Sequence, residues 1–206
     1  MDNGVKIGLL GGTFDPIHLG HMYLAKQAKN ILGLEKVLFI PAGDPWMKND
    51  KILSAPRHRL KMTHLALQNN RDFHVDDLEI TRKGTSYTID TIIELKDRFD
   101  PGTDFYLIMG EDAVNQINFW KDPNKIMTMV KLVVMRRFQE KSLALEIDKN
   151  IEFIWIKNSE MFREISSSKI RKKIKERKSV RKFVHRDVER YIRDKELYRN
   201  LDKKDD

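Results

Sequence analysis

The sequence predicts an α/β fold, a doubly wound parallel sheet carried by one domain over residues 1–206, with helices toward the C-terminal end. Three observations predict it. Short continuous apolar runs recur at Val5–Leu10, Lys36–Ile40, Phe105–Met109 and Lys131–Met135. Runs without polar alternation mark strands buried on both faces, the environment of a parallel sheet. Helical stretches separate the runs, and Gly11-Gly12, Pro41 and Gly110 close the first three, as where a strand leaves into a tight turn.

Taken in order, each element has a local reason. From about His18 to Leu32, the residues Leu24, Ala25, Ala28, Ile31 and Leu32 share one helical face, and Gly33 supplies the stop. Pro56 to about Gln68 reads as a second helix. Phe73–Val75 and Leu78–Ile80 read as short strands. Thr88–Phe99 is helical, with Ile89, Ile92, Ile93, Leu95 and Phe99 apolar. Glu152–Ile156 supplies a fifth main strand, and Ser168–Arg177 and Asp187–Tyr198 form the C-terminal helices, with the last few residues outside the folded part. No repeat, low-complexity linker or domain boundary interrupts the chain. Parallel sheets bind ligands beyond the carboxyl ends of their strands. The segments Gly11-Gly12, Pro41–Lys48, Gly110–Asp112 and the stretch after Ile156 should therefore meet at one rim.

Composition narrows the classes of function. No apolar run approaches the roughly 20 residues that span a bilayer, and the start of the chain lacks the basic, apolar and small-residue pattern of a signal peptide. A membrane role is therefore not expected. The chain has no cysteine, so disulfides and thiolate metal sites are excluded and a cytoplasmic setting fits. The net charge is +8. Between Lys169 and Lys182 nine basic residues face a single acid, Glu176, so this segment alone carries the whole surplus. Such a segment is either a solvated helix face or an attractor of polyanions, nucleotide triphosphate or nucleic acid. It lacks the interleaved aromatics of single-strand binders, and no specific nucleic-acid partner is expected. The sequence fixes no oligomeric state.

Five segments carry chemistry. The first, Gly11–His21, is a glycine turn leading into a helix. Such a turn exposes backbone N–H groups, and the helix start adds further donors and a positive dipole end, all suited to phosphate. His18 and His21 lie three apart and so share a face of the first turn. Their imidazoles can donate to phosphate oxygens. Gly20 between them leaves room for a ligand against the helix. The second, Ile165–Arg171, places Ser166, Ser167 and Ser168 before a helix and Arg171 one turn in. This is a plain N-cap or an anion site completed by an arginine fork. The third, Gly110 and Asp112 at a strand end, is a turn or a ribose contact. The fourth, Thr85–Thr91, lies at a helix start, where Thr88 is both a cap and a ligand contact. The fifth, Pro41–Lys48, ends on Lys48, a mobile positive charge.

Gly11–His21 resembles the nucleotide-binding signature of the nucleotidylyltransferase superfamily, with its His-x-Gly-His element, in the version carried by bacterial nicotinate-nucleotide adenylyltransferases. The resemblance runs nearly the whole chain, to Ile192–Tyr198, and implies a Rossmann-like fold. Ile165–Arg171 is similar to the family's second phosphate motif, with Ser168 where threonine is usual. Gly110 and Asp112 match its Gly-x-Asp element. Phe119-Trp120 resembles the aromatic pair that stacks on a pyridine ring, and Ser86-Tyr87-Thr88 a Ser-Tyr-Thr element. The family's Pro-Pro-His-Lys becomes Pro45-Trp46-Met47-Lys48 here, so methionine stands in the histidine position. Arg137 matches a family arginine, with Arg136 beside it.

The resemblance implies adenylyl transfer from ATP to nicotinate mononucleotide, with magnesium carried by ATP. It assigns ATP to Gly11, Gly12, Thr13, Phe14, His18, His21, Gly110, Asp112, Ser166, Ser167, Ser168 and Arg171. His18, His21 and Arg171 act on the phosphates in that assignment. The mononucleotide falls to Lys48, Tyr87, Thr88, Trp120 and Arg137. No dedicated metal ligands are expected in the chain. Competing readings are a transferase for another phosphate-bearing acceptor, a nucleic-acid binder using Lys169–Lys182, and a nucleotide sensor that releases no pyrophosphate.

Overall fold

Residues 7–10 are buried and without a polar side chain, and the strand they form lies inside the sheet. The structure, a computed structural model, describes residues 4–45, 54–136, 153–157, 159, 162 and 165–199. Strand β1 (Lys6–Gly12) pairs in parallel with β2 (Lys36–Pro41) on one side. Past helix α1 (Leu19–Leu32), a two-residue strand β3 (Asp44–Pro45), helix α2 (Pro56–Leu67) and strand β4 (Phe73–Val75) follow. Then come helix α3 (Leu78–Thr81), the short strand β5 (Thr85–Ser86), helix α4 (Thr88–Arg98) and strand β6 (Asp104–Gly110). Helix α5 (Glu111–Val114), a 3-10 turn at Ile117–Phe119 and helix α6 (Pro123–Met129) lead to β7 (Lys131–Arg136). Strand β8 (Phe153–Lys157) and helices α7 (Ser167–Lys175) and α8 (Arg186–Asp194) complete the described elements.

The six-stranded sheet runs β4-β2-β1-β6-β7-β8, parallel throughout. The chain winds outward from β1 in one direction, then returns to its other edge at β6. The order reverses between β1 and β6, and ligands of such sheets bind outside the strand ends at that point. Leu10, Phe39, Ile108 and Val133 face one core layer with Ala25 and Ala28 of α1, Met62 of α2, Ile170 of α7 and Ile192 of α8. Ile7, Leu9, Leu107 and Val134 face the other layer, with Ile89, Ile92 and Leu95 of α4 and Ile126 of α6. This double coverage is why the strands read as unbroken apolar runs. At the end of α1, Gly33 adopts φ 62° and its N–H donates to the Lys29 carbonyl, the left-handed stop anticipated from its position.

Three features depart from the sequence reading. Leu78–Ile80 is not a strand but the start of α3. Leu78 does face the core, yet the preceding Asp76 carboxylate accepts its N–H at 3.2 Å and turns the chain into a helix. The helix read as Asp187–Tyr198 ends at Asp194, with Glu196 and Tyr198 at positive φ. Strands β3 and β5 form a separate parallel pair of two residues each, too short for any periodicity to register. The expectation for the last few residues falls outside the described ones.

Candidate functional site

The rim expected from the strand ends is present as one cavity of about 530 Å³. The loop after β1 forms its floor. Phe14 takes φ 50°, an uncommon conformation for a side-chain-bearing residue. Its ring is buried and lies over Gly12, where an added Cβ would come within 2.8 Å of the ring. Gly11 instead borders open space, with nothing within 4 Å of an added Cβ, so a ligand can approach its backbone. His18 occupies the N-cap position of α1. Its backbone N–H donates to Nδ1 of His21 at 3.2 Å, which leaves the proton of a neutral His21 ring on Nε2. The two imidazoles stack at 3.6 Å between centroids, and the Phe14 ring meets His21 edge-on at 5.0 Å. Gly20 lines the cavity as expected, but part of the space beside it is taken by the His18 ring, 3.1 Å from where a Cβ would lie.

The second motif closes on the first. Ser166 caps α7 by accepting the Lys169 N–H. Ser167 Oγ donates to the Pro16 carbonyl at 3.0 Å. Arg171 donates through Nη1 to the Asp15 carbonyl at 2.7 Å and through Nη2 to Ser168 Oγ at 3.3 Å. Ile170, 1% exposed, anchors this turn in the core. Burial of such a side chain stabilises by about 1.5–3 kcal/mol. All twelve residues expected to hold ATP line the cavity.

On the opposite side, Tyr87 stands at the N-cap of α4 and Thr88 is its first residue. Thr88 and Trp120 both line the cavity. Lys121 sits over the Tyr87 ring at 4.9 Å and pairs with Asp90 at 3.0 Å. Trp120 Nε1 is buried and has no hydrogen-bond partner among the described residues. Lys48, Met47 and Arg137 lie outside the described residues. Arg136 is described, and its guanidinium lies 4.4 Å from the Trp155 ring centre.

Three residues that shape the site were not anticipated. Arg59 of α2 is 1% exposed. Its guanidinium donates to four carbonyls: Ser54 at 3.0 Å, Thr13 at 3.0 Å, Ala42 at 2.5 Å and Gly43 at 2.8 Å. Burial lowers its pKa, opposed by the nearby Asp15 carboxylate. One side chain thus ties the loop after β1 to the loop after β2. A sequence signal existed, since Arg59 falls on the same helical face as Met62 and Ala66, where a charge needs buried partners. Glu79 lines the cavity beside Ser86 and Thr91. Its carboxylate accepts the Thr91 hydroxyl at 2.7 Å, while Ser86 Oγ accepts the Gly43 N–H at 3.1 Å. Burial pushes the Glu79 carboxyl up, opposed by the hydrogen bonds it accepts from Thr91, Ser86 and the Gly43 backbone and by the Arg82 charge. Tyr198 donates to Asp15 at 2.6 Å. Among the described residues, no three His, Asp or Glu side chains group as ion ligands. No described helix is long and apolar enough to cross a membrane.

Comparison with known proteins gives the family. The cytidylyltransferase-like family model matches residues 9–173. A "Probable nicotinate-nucleotide adenylyltransferase" of Dehalococcoides mccartyi strain CBDB1 is 38% identical over 200 residues, covering 94% of this chain and 97% of the relative. A protein of the same name from Desulfitobacterium hafniense is 37% identical, covering 94% and 96%. Among solved structures, Plasmodium falciparum nicotinic acid mononucleotide adenylyltransferase complexed with NaAD superposes with a TM-score of 0.78 at 23% identity, over 94% of this chain and 97% of that one. That likeness shows the Rossmann-like fold. With sequence relatives matching end to end and the family model spanning both phosphate motifs, this chain belongs to the cytidylyltransferase-like nucleotidyltransferases, within the nicotinate-nucleotide adenylyltransferase family.

Proposed function

We propose that this enzyme transfers the adenylyl group of ATP to nicotinate mononucleotide, giving deamido-NAD and pyrophosphate. The observation that carries the reading is convergence. The histidine pair and the serine–arginine motif, some 150 residues apart in sequence, line one cavity together with Thr88 and Trp120.

An ionised phosphate oxygen of the mononucleotide attacks the α-phosphorus of ATP. The bond to the bridging oxygen breaks, and pyrophosphate leaves with the electron pair. The nucleophile needs no deprotonation, so catalysis is positioning and charge stabilisation. His18 and His21 donate to the ATP phosphates, with His21 nearest the developing charge. Gly11–Phe14 supply backbone donors. Ser166, Ser167, Ser168 and Arg171 hold the β- and γ-phosphates, and Gly110 and Asp112 border the nucleoside. Thr88 and Trp120 receive the pyridine ring; Tyr87, Lys48 and Arg137 are assigned to the acceptor by the family resemblance alone.

The donor set fits magnesium that arrives with ATP, held by phosphate oxygens and water. Asp15, the carboxylate of the phosphate loop, is already engaged by Tyr198 and Ser54. When bound, the ion neutralises phosphate charge. The reading takes residues 1–206 as one domain working in the cytoplasm, which the cysteine-free composition supports.

The test is pyrophosphate release from ATP and magnesium with four acceptors: nicotinate mononucleotide, nicotinamide mononucleotide, phosphopantetheine and glycerol 3-phosphate. The first should give the highest kcat/KM. Faster release with either of the last two would sink the reading.

A further inference from the structure

Asp15 is a carboxylate with 1% exposure inside the phosphate loop. Its Oδ1 accepts the Tyr198 hydroxyl at 2.6 Å, and its Oδ2 accepts the Ser54 N–H at 3.4 Å. The nearest arginine of the phosphate motif, Arg171, stands with Nη1 4.0 Å from Oδ2. That nitrogen bonds instead to the backbone carbonyl of the same aspartate, at 2.7 Å. Arg171 thus touches a neutral acceptor while the carboxylate beside it takes its hydrogen bonds from elsewhere. An arginine–carboxylate pair is the stronger, charge-assisted arrangement, and closing it needs a shift of only about 1 Å to ordinary hydrogen-bond length.

Tyr198 stands against that shift by holding the other oxygen, Oδ1, and so fixing the orientation of the carboxylate. Its side chain is buried, with the hydroxyl 3.9 Å from Met62 Sδ. Its backbone is turned at φ 66°, just past the last helix. Burial and the adjoining Asp15 carboxylate hold its hydroxyl well above the usual phenol range, so it remains a donor at every working pH.

We propose that Tyr198 is a positioning residue for the triphosphate end of the site: by occupying the Asp15 carboxylate, it keeps Arg171 from being captured by that carboxylate and leaves the arginine fork for phosphate. The inference rests on the proposed assignment of Arg171 to the ATP phosphates. Without the hydroxyl, Oδ1 loses its donor in a water-poor site, and the carboxylate recovers one by turning onto Arg171. The arginine charge is then spent inside the protein. ATP and pyrophosphate lose a ligand, and the acceptor loses nothing.

The test uses the full chain with Tyr198→Phe and Asp15→Asn/Tyr198→Phe. In Tyr198→Phe the KM for ATP and the inhibition constant of inorganic pyrophosphate should each rise about tenfold, while the acceptor KM stays within about twofold. The double variant has no carboxylate to capture Arg171. It should restore both constants to within about threefold of wild type even though its unfolding temperature remains lowered. A purely structural tyrosine would give no such rescue. Unchanged ATP and pyrophosphate constants in Tyr198→Phe, an equal rise for the acceptor, or failure of the double variant to restore phosphate binding would each overturn the proposal. Calorimetric binding of inorganic pyrophosphate to the three proteins keeps the inference separate from the function. Should wild type turn over none of the acceptors, the adenylyl-transfer reading falls, while the same weakening and rescue still decide the role of Tyr198.

Discussion

The rings of His18 and His21 lie 17° from parallel, with their centroids 3.6 Å apart. Spacing of three on one helical turn brings them together, and the edge of Phe14 fixes the outer face of the pair. Nδ1 of His21 is occupied by the His18 N–H, so His21 presents Nε2 as its donor in a fixed direction. His21→Ala removes that donor. Turnover should fall about 10²–10³-fold, the usual loss for one preorganised donor to transition-state charge. ATP should still bind, as equilibrium titration would measure. Turnover near wild type would contradict the role.

Arg171 and Lys178 sit in the same basic segment but in different surroundings. The Arg171 side chain is 18% exposed and borders the cavity, whereas Lys178 is 64% exposed and pairs with Glu176 at 2.8 Å. Arg171→Ala should raise the ATP KM much more than Lys178→Ala, because the second removes only screened long-range attraction. Equal effects on the two Michaelis constants would undo the assignment.

Acceptor choice is a contest between a carboxylate and an amide of almost the same shape, so it must turn on donors. Thr88 begins α4, where the helix start favours an anion. Wild type should prefer nicotinate over nicotinamide mononucleotide strongly, since a site built on hydrogen bonds discriminates by powers of ten. Thr88→Val should narrow the preference without reversing it, because backbone donors remain. Trp120→Ala should impair both acceptors alike, as expected for stacking. The ratio of the two kcat/KM values in all three proteins is the measurement, and a ratio near one in wild type would refute the anion pocket.

Glu79 makes a pH-dependent contribution to stability. Its carboxyl titrates higher when folded because burial disfavours the charge. The folded state therefore holds a proton that the unfolded chain has released. Stability from this group is full below the unfolded value of about 4.3 and is lost as pH rises through the raised folded value. Glu79→Gln should remove that loss. The difference in unfolding temperature between wild type and variant should shift in favour of the variant across this window, then level off. A difference independent of pH would show that Glu79 titrates normally.

What was legible in the sequence was local. Gly11–His21 and Ile165–Arg171 could be read because turn, cap and helix face are set within a dozen residues, and all twelve residues assigned to ATP from them and from Gly110 and Asp112 border the cavity. The strands were legible because burial on both faces leaves no polar alternation. Arg59 was not, since its acceptor Thr13 lies 46 residues away and only the folded sheet brings the two loops together. The same holds for Tyr198 and Asp15, and for Glu79 with Thr91. Helices α5 and α6, of four and seven residues, are too short to establish a period. Leu78–Ile80 misled because two apolar residues around one polar one suit a strand and a single helical turn equally, and the deciding group was the Asp76 side chain.

The contact between Asp15 and Tyr198 spans 183 residues, and this orders events during synthesis. Strand β1 and the phosphate loop leave the ribosome first, yet the loop's buried carboxylate has its donor only after residue 198 is made. Strand β6, which flanks β1, is available much earlier. The residues that make the centre of the sheet are therefore all present well before the last partner of the nucleotide loop. A chain halted before Tyr198 carries the signature motif without the hydroxyl that Asp15 accepts.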